Sequence, residues 1–136
     1  MMRFRLRRKP QKGVALIEAL VSTVVFSFGL LGLIGLEARA INFSVNAEDR
    51  NRAALLANDI ASTMWLAGSV TLTPAMLAQF QNQVSNPTAA GLPNGTVAIN
   101  PVAGSTNSAD ITITWKATTS LSTDPANRLT TRITLP

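Results

Sequence analysis

The chain contains no cysteine and no histidine. Without thiols there is no disulfide framework and no cysteine nucleophile. Without imidazoles the commonest general base and the usual zinc-ligand sets are gone as well. Charge is scarce, 14% of residues. Together with a mean hydropathy of +0.22, that argues against disorder and for membrane or buried surface. The 136 residues allow one modest domain besides the N-terminal stretch. A small extracytoplasmic domain without disulfides depends on its packed core and on neighbouring subunits.

Acid is missing from the N-terminus. The first twelve positions hold six of the twelve basic residues, Arg3, Arg5, Arg7, Arg8, Lys9 and Lys12, and no carboxylate. From residue 14 onward six basic residues meet seven acidic ones, a net of −1. The formal charge of +5 therefore belongs to a leader and not to a binding face. A nucleic-acid binder spreads Lys and Arg over a folded surface with aromatics available for stacking, so no nucleic-acid partner is expected.

Residues 14–36 read VALIEALVSTVVFSFGLLGLIGL, with Glu18 as their one charged side chain. A helix of that length spans roughly 34 Å, enough to cross a bilayer core. The cationic flank precedes it, so the positive-inside rule puts the N-terminus in the cytoplasm and the C-terminal domain outside. Three readings compete. A secretory signal needs a small-x-small cleavage site after the apolar run, and Glu37-Ala38-Arg39-Ala40 is a charged substitute for one. A plain single-span anchor accounts for the leader and the apolar run but not for Glu18. Glu18 could also lie near enough to the cytoplasmic face to reach headgroups. A cut after Gly13 supplies a specific partner, since Val14 would carry a free α-amine four residues before Glu18 on the same helix face.

Lys12-Gly13-Val14-Ala15-Leu16-Ile17-Glu18, followed by a full apolar span, resembles the class III signal of type IV prepilins and pseudopilins. The resemblance implies cleavage by prepilin peptidase between Gly13 and Val14, N-methylation of Val14, and an assembly role for Glu18 in neutralising a neighbouring subunit's terminal amine. The chain departs from the family at Val14, where Phe or Met is usual. Gly29-Leu30-Leu31-Gly32-Leu33, Leu36-Glu37-Ala38-Arg39-Ala40 and Ala53-Ala54-Leu55-Leu56-Ala57-Asn58-Asp59-Ile60-Ala61 look like the PilV-type minor pilins. Leu92-Pro93-Asn94-Gly95 and the strand ending at Trp115 do so more loosely.

Beyond the span the helical pattern continues. Ile41 and Val45 form one apolar pair; Leu56, Ile60 and Met64, with Ala53 and Ala57, form a second series. Glu48, Asp49, Arg50 and Arg52 interrupt the apolar character between them, and Gly68 is a natural stop. One helix over 14–67 would run roughly 80 Å. Gly29, Gly32 and Gly35 recur every three residues, which suits close packing between helices, or local unwinding, or the general frequency of glycine in membrane helices. Thr73-Pro74 should open a short helix over Pro74–Val84, with Met76, Leu77, Phe80 and Val84 inward and Asn86-Pro87 beyond its end. Period-two alternation then predicts three strands, at Val97 and Ile99, at Ile111, Ile113 and Trp115, and at Leu129, Thr131, Ile133 and Leu135. Loops over 104–108 and 119–127 join them into an antiparallel meander.

The expected fold is α+β, a long N-terminal helix packed on a small antiparallel sheet with one short extra helix, as in pilins. It divides into a cleaved basic leader (1–13), a transmembrane and assembly helix (14–36), an amphipathic continuation (37–67) and a small α+β domain (68–136). Asp110, Lys116, Asp124, Arg128 and Arg132 read as solvated strand and loop residues. Asn94-Gly95-Thr96 reads as a turn before a strand, although it also fits a glycosylation pattern. Trp65 and Trp115 read as core or interface anchors. No catalytic constellation, metal or cofactor is expected. The resemblance implies a minor pilin that primes or caps a type IV pilus. Its partners would be other minor pilins, the major pilin, prepilin peptidase, the inner-membrane assembly machinery and, before assembly, membrane lipid. The rivals are a pseudopilin of a type II secretion or DNA-uptake system and a single-span membrane protein with a small binding domain.

Overall fold

The computed structural model describes residues 12–118 and 120–136. Along the chain come helix α1 (Lys12–Ala67), helix α2 (Pro74–Val84), a single 3-10 turn (Pro87–Ala89), and strands β1 (Thr96–Pro101), β2 (Ser108–Trp115) and β3 (Asn127–Thr134). This is an α+β arrangement with a long N-terminal helix. The chain divides into two units, the second being Asn42–Pro136. The 56 residues of α1 contain no proline, so no backbone donor is missing along it. The helix ends where expected. Gly68 takes φ +59, its N–H donates to the Trp65 carbonyl and the Ser69 N–H to that of Met64. This pair of bonds closes the last turn and needs a residue that tolerates the left-handed region.

In the second unit α1 contributes Ala53, Leu56, Ala57, Ile60 and Met64 to one buried cluster. The spacing of three and four residues puts them on a single stripe. α2 begins as its sequence implies, with Thr73 Oγ1 accepting from the Met76 N–H at 3.3 Å and Pro74 in the first turn. It buries Phe80 and Val84. Met76 is only half-buried and Leu77 lies exposed, so the inner face of this helix is narrower than the four-residue expectation. The 3-10 turn after it, capped by Asn86 Oδ1 on the Thr88 N–H, is an added element. Gly95 then passes so near the Val84 carbonyl that a Cβ there would run into it. Asn94, at φ 52, completes the turn into β1.

The sheet has the order β1-β2-β3, antiparallel throughout, with Val97 opposite Ile113 and Ile113 opposite Leu129. Alternation gives the two faces different roles. Ile111, Ile113 and Trp115 point into the core with Ile133. The other face carries cross-strand polar pairs: Thr112 with Thr130 at 3.2 Å, Ser108 with Thr134 at 3.1 Å, and Thr96 with Thr114.

The outer edge of β1 is closed by a side chain. The Val97 N–H donates to Gln81 Oε1 at 3.0 Å, and Gln81 Nε2 donates to the Gly95 carbonyl at 3.1 Å. The amide of Gln81 thus stands where a neighbouring strand would. Pro101, which has no N–H, ends the same strand. Replacing Gln81 by alanine removes both bonds and should lower the unfolding free energy by about 1–2 kcal/mol. Urea unfolding of the full chain in detergent would show it, and an unchanged midpoint would mean that water replaces the amide without loss.

Candidate functional site

The residues expected to serve processing or assembly, Gly13, Val14, Glu18, Gly29, Gly32 and Gly35, all fall on the N-terminal portion of α1. Over residues 13–36 this helix is exposed all round, and it is long and apolar enough to cross a membrane. Its internal hydroxyls are satisfied within the helix. Thr23 Oγ1 donates to the Leu20 carbonyl at 2.8 Å and Ser27 Oγ to that of Thr23 at 2.7 Å. Such back-bonding removes the penalty of carrying a free hydroxyl in hydrocarbon. Glu18 has no equivalent: among the described residues its carboxylate finds no hydrogen-bond partner. Arg3, Arg5, Arg7, Arg8 and Lys9 lie outside the described residues, so the expected leader is seen only at its last two positions.

Gly13 and Val14 stand in the first turn, both exposed. At 3.6 residues per turn, Val14 lies about 40° around the axis from Glu18, Gly29 about 20°, Gly32 about 40° and Gly35 about 100°. Gly29 and Gly32 therefore share the face of Glu18 and Val14, whereas Gly35 lies off it. The stretch is helical throughout. A Cβ at any of the three glycines would meet nothing within 4 Å, so nothing inside the described chain requires glycine there. Their smallness could matter only to something docked from outside.

Four charged residues of the sheet region, Asp110, Lys116, Asp124 and Arg132, make structural contacts, and among the described residues Arg128 has no side-chain partner. Arg132 makes a forked pair with Asp110, at 2.7 and 2.9 Å. Those hydrogen bonds hold the Asp110 carboxyl below its ordinary range, against a smaller opposing effect of burial. Lys116 Nζ donates to the carbonyls of Ser122 and Asp124, and Asp124 accepts from the Leu121 N–H at 2.9 Å. Trp115 is a core residue at 1% exposure, while Trp65 is 54% exposed and is not. A groove of about 250 Å³ between α1 and the end of α2 is bordered by Arg52, Leu55, Asp59 and Gln83 and contains no nucleophile with a base beside it. Among the described residues no three carboxylates gather as metal ligands.

Two features escaped sequence reasoning. One is Gln81 on the β1 edge, for which no sequence signal exists. The other is Asp49, only 6% exposed, whose Oδ2 is buried without a partner. Burial raises its pKa, opposed in part by Arg52 and aided by Glu48. Counting back four residues from Ala53 along the buried stripe lands on Asp49, and that period could have found it.

No family model, no curated protein and no solved structure matches this chain.

Proposed function

We propose that the chain is a pilin-like structural subunit and not an enzyme: a minor pilin that is cut between Gly13 and Val14 and co-assembles into a type IV pilus. One observation carries the reading. Glu18, the single charge in a 23-residue apolar helical segment, shares its helix face with Val14 and with two glycines that nothing within the described chain requires. A carboxylate in such a segment is costly in lipid; for comparison, Asp, Lys or Arg at a span centre costs about 2.5–3.5 kcal/mol on insertion scales. Cleavage creates the compensating cation at Val14. A second subunit's helix lying against the Gly29–Gly32 face could bring its own terminal amine to Glu18 as the segment passes from lipid into a filament. Before assembly the same segment would hold the protein in the inner membrane with its C-terminal unit in the periplasm.

The test is mass spectrometry of sheared surface filaments, seeking the peptide that begins at Val14, with or without an N-methyl group. The Glu18→Ala variant should still be cleaved but be lost from that fraction. A Val14 form confined to membranes would move the assignment to a secretion or DNA-uptake pseudopilus. Residues 1–13 attached in every fraction would leave a single-span anchor with a small binding domain, and the pilin reading would fall.

A further inference from the structure

The two edges of the sheet are not alike. β1 is blocked by Gln81 and Pro101. On β3 the geometry runs the other way, and it can be read from the ladder. The Val97 N–H points to Gln81, away from β2, so Val97 and Ile113 form a non-hydrogen-bonded pair. Ile113 then turns its backbone groups toward β3, as does every second β2 residue. The bonds just beyond the strands agree, Val102 N–H to Ser108 O on one side and Leu135 N–H to Asn107 O on the other. Leu129, Thr131 and Ile133 consequently face β2 with their backbones. Arg128, Thr130, Arg132 and Thr134 present theirs to the open side. No hydrogen bond from the described residues reaches those four backbones outside the ladder, and all four residues are exposed. No proline interrupts the eight residues of β3.

The side chains beside this edge state what would suit it. On the outward face Arg128 and Arg132 stand four residues apart with Thr130 between them, and β3 carries no acid. Pairing with a second copy in antiparallel register about Thr130 would set Arg128 opposite Arg132 twice over, and like charges directly opposite are unfavourable. On the inward face Leu129 is only half-buried, leaving apolar surface at the rim. We infer that the free edge of β3 receives an extended segment of a different protein, with two carboxylates four residues apart on one face and apolar residues between them on the other. Main-chain bonds to Arg128, Thr130, Arg132 and Thr134 supply the docking, Arg128 and Arg132 select acid, and Leu129 is covered. Arg132 already holds Asp110, so Arg128 is the stronger selector. The inference stands on the sheet alone and does not depend on the pilin reading.

Hydrogen exchange on the full chain in detergent tests it, with two synthetic probes: a peptide containing Glu-Val-Thr-Val-Glu and the same peptide with both Glu replaced by Lys. The acidic peptide should slow exchange at the amides of Arg128, Thr130, Arg132 and Thr134, and the lysine peptide should not. Thr130→Pro removes one outward N–H without touching the β2 ladder and should weaken the acidic peptide about tenfold. Arg128→Glu keeps the fold and every backbone donor, and should reverse the preference between the peptides. The inference is overturned if the four amides are already protected in the protein alone, if their protection rises with protein concentration as a second copy would cause, or if the acidic peptide binds no better than the lysine one.

Discussion

Replacing Trp115 by alanine should cost the second unit about 3–5 kcal/mol, a large share of the ~5–15 kcal/mol by which a domain is stable at all. Trp115 is the largest fully buried side chain. It ends β2, opposite Asn127, and the next residue is tied down by the Lys116 N–H on the Pro93 carbonyl. The backbone around the ring is therefore held from two sides, and the cavity left by alanine has little room to collapse. Trp115→Phe separates volume from polarity. It retains most of the apolar ring and deletes an indole Nε1 that is buried without an acceptor, so it should be much the milder change. Urea titrations of both variants followed by circular dichroism would decide. Equal losses would mean that the indole N–H, and not the ring volume, is what the core depends on.

Much of the fold is legible in the sequence because its periods are clean. Ile111, Ile113 and Trp115 alternate with two threonines, and a strand with one buried face must turn those three the same way. The stripe from Ala53 to Met64 and the stop at Gly68 are equally local signals. What local signals do not carry is proximity across the chain. Gln81 lies 16 residues from the amide it receives, and only the packing of α2 beside β1 brings the two together. The four charged residues Glu48, Asp49, Arg50 and Arg52 read only as a break in the apolar pattern, because composition outweighs period there. Glu48 and Arg52 do pair in solvent, but Asp49 points the other way. For the candidate site the position is reversed. Gly13, Val14 and Glu18 take their expected roles from a resemblance and the glycines theirs from spacing, and the helix adds that Gly29 and Gly32 share a face with Glu18 while Gly35 does not.

Asp49 gives the second large effect, and it has the unusual sign. Replacing it by alanine should raise stability at neutral pH by about 1–3 kcal/mol, the cost of a buried polar group without a partner. The side chain occupies the first place on a stripe otherwise made of Ala53, Leu56, Ala57, Ile60 and Met64, and alanine also favours the helix. The pH dependence identifies the cause. Burial raises the Asp49 pKa above its ordinary 3.8, so the folded chain holds that proton more tightly than the unfolded one. Its contribution is favourable below the unfolded value and is lost as pH rises through the raised folded value. Asp110 runs oppositely. Its pKa is lowered by Arg132, so its contribution is present above the unfolded value and lost as pH falls through the lowered one. Asp110 is present in both proteins and drops out of the difference between them, so the gain from Asp49→Ala follows Asp49 alone and should shrink in acid and grow toward neutrality. Thermal midpoints of the two proteins across that range would show it. A difference that stays constant with pH would mean that Asp49 is already hydrated when the chain is folded, and that the stripe ends at Ala53.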